Sequence, residues 1–204
     1  MKKIVILCLF VFLSGCAGPV YLAKTEAEAV KTGYQDPELA ALSQKYQSLF
    51  KAIYARCVSN KMALAKDGLG FTSLRDGKGK KLNYLLVQMR PEEVNFDKNT
   101  TTGQQRLQQI VQRYADPNLR LITKQDIAPN DIDGLAFGVT WPVRDFYQCN
   151  TQGGFVEYFI AYISKSDFNA RADGAKAVRE VLGESEVITS LDLTPPISIR
   201  LTFQ

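Results

Sequence analysis

Apolar residues at three- and four-residue spacing mark the first long element of this chain. Leu39, Leu42, Tyr46, Leu49, Phe50, Ile53 and Cys57 fall on one helical stripe, and Gln44, Lys45, Gln47, Ser48 and Lys51 take the opposite side. Asp36-Pro37-Glu38 supplies a start: a capping carboxylate, a proline where no N–H is needed, and an acid near the positive end of the helix dipole. The pattern predicts a helix as far as Lys66, stopped by Asp67-Gly68, with Ser59-Asn60 an earlier break point.

Beyond a turn at 75–81, residues 82–89 are expected as a strand ended by Arg90-Pro91. Leu107, Ile110, Val111 and Tyr114 give a second helical stripe, closed by Asp116-Pro117, with a short strand at 119–123. Two longer strands are expected at 135–143 and 155–164. The second alternates, with Phe155, Glu157, Phe159, Ala161 and Ile163 on one face. The eleven residues between them suit a long hairpin loop. A helical turn at 168–171, a helix at 175–182 and a terminal strand at 197–203 complete the pattern. Helices and strands are mixed and the strongest strands cluster late. The fold class expected is therefore α+β: one domain, its N-terminal amphipathic helix packed on a mainly antiparallel sheet.

The N-terminus follows different rules. Lys2 and Lys3 precede a ten-residue run, 4–13, without a polar side chain. A span needs about 20 apolar residues, so this run is too short to cross a bilayer and suits a secretory signal. Leu13-Ser14-Gly15-Cys16 comes next, an aliphatic residue, two small ones and a cysteine. This segment resembles the lipobox of bacterial lipoprotein precursors. The resemblance covers residues 1–16 and implies cleavage before Cys16, acyl chains on Cys16 as the new N-terminus, and membrane attachment through those chains. It divides the chain into a signal peptide (1–15), a lipidated tether (16–35) with a short helix expected near residues 25–31, and a periplasmic domain (36–204). Ala17, where inner-membrane retention would use Asp, implies the outer membrane, with the domain facing the periplasm.

Composition narrows the chemistry. With 46% hydrophobic and 23% charged residues, the chain can bury a core. Loss of Lys2 and Lys3 turns 25 basic residues into 23, against 21 acidic ones, a balance too even to call for a polyanionic partner; nucleic acid is not expected. Histidine is absent, which removes Ser-His-Asp and Cys-His catalysis within this chain. Gly77-Lys78-Gly79-Lys80-Lys81 lacks the spacing of a phosphate loop. Asp131-Ile132-Asp133-Gly134 places Pro129 and Thr140 where a calcium loop needs oxygen ligands. Neither a metal nor a cofactor is expected.

Four places remain. Outside the leader and Cys16, Cys57 and Cys149 either pair, as an oxidising compartment favours, or stay as separate buried thiols. Gly183-Glu184-Ser185-Glu186 touches the Glu-Ser pair of lytic transglycosylases, although the run downstream in that family is absent. Residues 141–150 hold the only tryptophan. There Trp141, Arg144, Asp145 and Tyr147 are candidates for a binding loop, or else Trp141 packs the edge of the core. The expected function is a membrane-anchored envelope lipoprotein acting as a binding or assembly component beside an envelope protein partner. The alternative is a histidine-free, carboxylate-dependent enzyme directed at peptidoglycan or another carbohydrate, with Glu184 as its acid.

Overall fold

The computed structural model describes residues 22–144 and 155–202, so Cys16, Asp145, Tyr147 and Cys149 lie outside the described residues. The fold class is α+β in one domain, as the residue pattern predicts. Seven strands form one sheet: β1 (Leu64–Arg75), β2 (Lys81–Met89), β3 (Phe96–Asp97), β4 (Gly134–Arg144), β5 (Phe155–Ser164), β6 (Glu186–Ser190) and β7 (Ile197–Ile199). Their order is β1-β2-β4-β5-β6-β7, with β3 beside the far end of β4. Only β2 and β3 run parallel to β4; the other pairs are antiparallel.

The predicted N-terminal helix exists as two pieces, α2 (Pro37–Lys45) and α3 (Gln47–Ser59), joined at Tyr46. Asp36 accepts from the Glu38 N–H at 3.0 Å, and Leu39, Leu42, Phe50, Ile53 and Cys57 are buried. The helix does not reach Lys66. The Asn60 side chain covers the Arg56 carbonyl at 2.8 Å, Lys61 turns left-handed at φ 58°, and β1 begins at Leu64. Asp67-Gly68 is a bulge within β1 rather than a helix stop. The register breaks between Leu64 and Leu69, Asp67 has φ 56°, and a Cβ on Gly68 would lie 2.5 Å from the Gln88 carbonyl oxygen.

Part of the expected tether is also packed. Leu22 bridges to Ala65 and Val30 to Leu69, on either side of the short α1 (Glu26–Ala29), whose Ala29 is fully buried. Tyr34 Oη accepts from the Phe71 N–H at 2.9 Å. The β1 edge is thereby covered along much of its length.

Other expectations fail further along the chain. The second helix does not end at Asp116-Pro117: α4 (Gly103–Ile110) passes through a π-helical turn at Val111–Ala115 into α5 (Asp116–Leu119). Proline 117 has no N–H to donate and its ring crowds the carbonyl one turn back, and the widened turn accommodates both. Asn118 Nδ2 covers the Tyr114 carbonyl at 2.7 Å. Residues 119–123 form no strand; a 3₁₀ turn, Lys124–Ile127, follows instead. The helical turn at 168–171 lies within α6 (Lys165–Ala172), and the helix expected at 175–182 is α7 (Val178–Glu184). Past Glu184 the chain enters β6, and the strand expected at 197–203 is only Ile197–Ile199.

The two faces of the sheet differ. Phe71, Leu85, Phe137 and Phe159 belong to one large cluster with Phe50, Leu107, Ile110, Phe168 and Leu182 from the helices. Each such buried side chain stabilises the fold by about 1.5–3 kcal/mol. The other face has a small cluster of strand residues alone, Tyr84, Leu86, Ala136 and Tyr162. Central β4 presents only small side chains there, Ala136, Gly138 and Thr140, which leaves room for long neighbours to lean inward. Tyr84 and Tyr162 meet edge to face at 5.2 Å, and Gln88 donates to Thr140 Oγ1 at 2.5 Å.

Candidate functional site

Of the four binding-loop candidates, Asp145 and Tyr147 lie outside the described residues, and the structure separates the other two. Arg144 is exposed at the end of β4. Trp141 is fully buried, so its side chain packs the core instead of meeting a partner. Its Nε1 donates to Glu157 Oε2 at 2.8 Å. Glu157 is itself buried and paired in both directions with Arg106, Nε to Oε2 at 2.8 Å and Nη2 to Oε1 at 2.6 Å. Arg106 also donates to the Thr101 carbonyl and to Asp192 Oδ1, and the Glu157 carboxylate holds the guanidinium pKa above its ordinary value. Every charge in this network has a fixed partner, as burial requires.

The network holds a strained turn. Asp192 and Leu193 sit consecutively at φ 49° and 61°, and the turn closes by Thr194 N–H on the Leu191 carbonyl at 2.8 Å. Left-handed backbone disfavours a leucine by about 1–2 kcal/mol. Asp192 is fixed from both ends: its N–H donates to Glu157 Oε1 at 2.8 Å, and its carboxylate accepts from the Gly103 N–H at 3.1 Å. This turn links β6 to β7, so the buried pair sets where the last strand lies relative to α4.

Between those two elements the surface opens into a cleft of about 430 Å³. Its apolar floor comes from Leu107 and Val111 on one side and Ile197, Ile199 and Leu201 on the other. At Val111, Gln112 and Arg179 it meets a second, larger hollow of about 920 Å³, bounded by α5, α6 and the start of α7. That hollow is lined by five cations, Arg120, Lys124, Arg171, Lys176 and Arg179. Most are answered locally: Lys124 by Asp173 at 2.6 Å, Lys176 by Asp167 at 2.7 Å and by Glu184 at 2.5 Å, Arg120 by Asp116 at 2.7 Å. Arg171, only 9% exposed, reaches Asp116 at 3.7 Å and the Leu119 carbonyl at 3.2 Å, and burial pulls its pKa down. Among the described residues, the Arg179 side chain forms neither a hydrogen bond nor an ion pair.

The remaining sequence candidates fall elsewhere. Glu184 is 56% exposed and bound to Lys176, far from the enclosed setting that a lone glycosidase acid needs. The Lys176 ammonium holds the Asp167 carboxyl below its usual range. Asp131 accepts from Lys45 at 2.6 Å and Tyr46 at 2.5 Å, and Asp133 accepts from the Asn83 N–H at 2.7 Å, so this segment ties α2 and β2 to the start of β4. No group of three His, Cys, Asp or Glu side chains gathers among the described residues to hold a metal ion. Cys57 is a free thiol buried in α3, its pKa pushed up to about 11 by desolvation; its expected partner Cys149 lies outside the described residues.

Compared with protein families, curated proteins and solved structures, the chain finds no match. The cleft residues of α4 and β7 were passed over in the sequence because each looks ordinary in place. The one available signal was Gln104, Gln108 and Gln112 at four-residue spacing, beside a narrow apolar stripe.

Proposed function

We propose that this chain is a lipid-anchored envelope protein whose domain works as a binding or assembly component. Attachment would be through acyl chains on Cys16, with the domain at the periplasmic face of the outer membrane. The Leu13-Ser14-Gly15-Cys16 segment supports the anchor. The observation that carries the binding role is the joined pair of hollows running from β7 past Arg179 to Arg171, an elongated surface with an apolar end and a cationic end. An apolar lining that passes into charged groups able to fix an occupant's orientation suits recognition. A membrane partner completes the assembly.

Two measurements test this reading. Labelled palmitate is incorporated into the full chain, and Cys16→Ala removes both label and membrane retention. Crosslinking from intact membranes then captures a stoichiometric envelope protein. Undiminished labelling of Cys16→Ala would refute the anchor, and the absence of any crosslinked partner would refute the binding role.

A further inference from the structure

We propose that β7 is the docking edge for an extended, acidic peptide strand seated in the cleft between β7 and α4. This deepens the binding role proposed above by naming the partner's chemistry, and it does not depend on the lipid anchor. Strand β7 pairs with β6 alone, and its outer edge makes no backbone hydrogen bond among the described residues. Unpaired edges beside a groove are the geometry of strand addition, where main-chain bonds give affinity and alternate side chains give selectivity.

The lining fits that occupant in three ways. Ile197 and Ile199 face the cleft from alternate positions of β7, Leu201 continues that apolar side just past the end of the strand, and Leu107 and Val111 stand opposite. A peptide added to β7 would therefore sink alternate apolar side chains into this floor. Above the floor, Gln104, Gln108 and Gln112 line the helix side, and none of their side-chain amides forms a hydrogen bond among the described residues. Four helical residues advance about 6 Å, close to the roughly 6.6 Å two-residue repeat of a strand. Each glutamine amide is thus placed to meet successive outward groups of an extended chain.

Charge decides the rest. The lining contains Arg179 and Arg200 and no carboxylate. Arg200 spends one donor on the Glu184 backbone carbonyl at 3.0 Å, and Arg179 is uncommitted. An apolar peptide would leave both guanidiniums unanswered, and a basic one would be repelled. A nucleic acid would meet an aliphatic floor with no aromatic ring to stack on. Acidic side chains interleaved with apolar ones satisfy floor and rim together.

The test is a 12-residue peptide display selection against the full chain in detergent. Enriched peptides should alternate apolar residues with Asp or Glu, and bound peptide should slow amide hydrogen exchange in β7. Reversing both charges, Arg179→Glu with Arg200→Glu, should weaken a selected synthetic peptide about tenfold and shift a fresh selection toward basic sequences. Ile197→Asp, at a position already 51% exposed, should weaken binding without unfolding the domain. Arg113→Glu, on a side chain outside the cleft, should leave it unchanged. The proposal is overturned by no enrichment, by enriched sequences lacking acid or alternation, by binding that ignores the charge reversal, or by unchanged exchange at β7. A crosslinked membrane partner alongside any of those results would sink this strand-addition site while leaving the broader binding role intact.

Discussion

Replacing Glu157 by leucine strands the Arg106 guanidinium in the interior. Asp192 is its one remaining carboxylate, and that side chain is half exposed. Removing one member of a buried ion pair destabilises by about 3–5 kcal/mol, because the surviving charge has lost both water and partner. Arg106→Met does the same to Glu157, leaving it the Trp141 and Asp192 N–H groups. If the two losses were independent, their sum of about 6–10 kcal/mol would consume most of the stability of an ordinary domain. Combined, however, they remove both charges at once. What then remains is an unanswered indole N–H and a loosened Asp192, about 1–3 kcal/mol. A double-mutant cycle should therefore return a coupling energy of at least about 3 kcal/mol. Urea denaturation reads it directly, since Trp141 is the only tryptophan and touches the network. At a slope of about 2 kcal/mol/M, each single variant loses about 2 M in midpoint and the double recovers most of that. Should a single variant fail to fold, the double variant must still fold. A double variant as unstable as the sum of the singles would refute the view that Arg106 and Glu157 stabilise mainly by neutralising each other.

Two more outcomes follow from buried positions. The Cys57 thiol ionises near 11 in the folded protein against 9.0 when free, so both states are protonated below pH 9. Between 9 and 11 only the unfolded thiol loses its proton, and folding stability falls by about 2–3 kcal/mol as pH rises. Under reducing conditions Cys57→Ala should show a slope shallower by that amount, the tyrosines whose pKa burial also raises accounting for what remains. Equal slopes in the two proteins would refute it, and a bond to Cys149 would abolish the difference until it is reduced. At Gly134 a Cβ would press into the Ile163 carbonyl and the Tyr84 ring, whereas at Gly77 it would meet nothing within 4 Å. Gly134→Ala should destabilise by about 1–3 kcal/mol and Gly77→Ala by less than about 0.5 kcal/mol in thermal unfolding, and equal effects would contradict the packing on the outer sheet face.

Elements whose local pattern agrees with their burial were legible in the chain. The α2–α3 stripe, β2, β4 and β5 all carry the period of their structure, and Asp36-Pro37-Glu38 begins a helix for the reason its side chains suggest. What stayed hidden was decided by distant partners. Asp67-Gly68 has the composition of a helix end, and only the approach of Gln88 makes it a bulge. The short helix near residues 25–31 is legible and appears as α1, but the packing of residues 22–34 is not. Their anchors, Leu22, Ala29 and Val30, are too few to set a period, yet each meets β1 or the core. Pro117 signals an ending, which the π-helical turn avoids. Trp141 packs the core, the second of the two readings its sequence allows, but nothing in the alternation of β5 marks Glu157 as its partner.

That last pair explains why the candidate site could not be found where the sequence is most unusual. A buried Trp–Glu–Arg network is conspicuous in composition because apolar interiors seldom admit charge, but its consequence appears several residues away. By fixing Asp192 and Gly103 together, it holds a left-handed Asp-Leu turn that would otherwise relax. The turn in turn places Ile197, Ile199 and Leu201 opposite Leu107 and Val111, residues with nothing unusual about them. Conspicuous chemistry is thus spent on position, and the surface offered to a partner is made of aliphatic side chains, glutamines and two arginines. Specificity in such an arrangement comes from spacing, the match between helical and strand repeats, more than from any one reactive group.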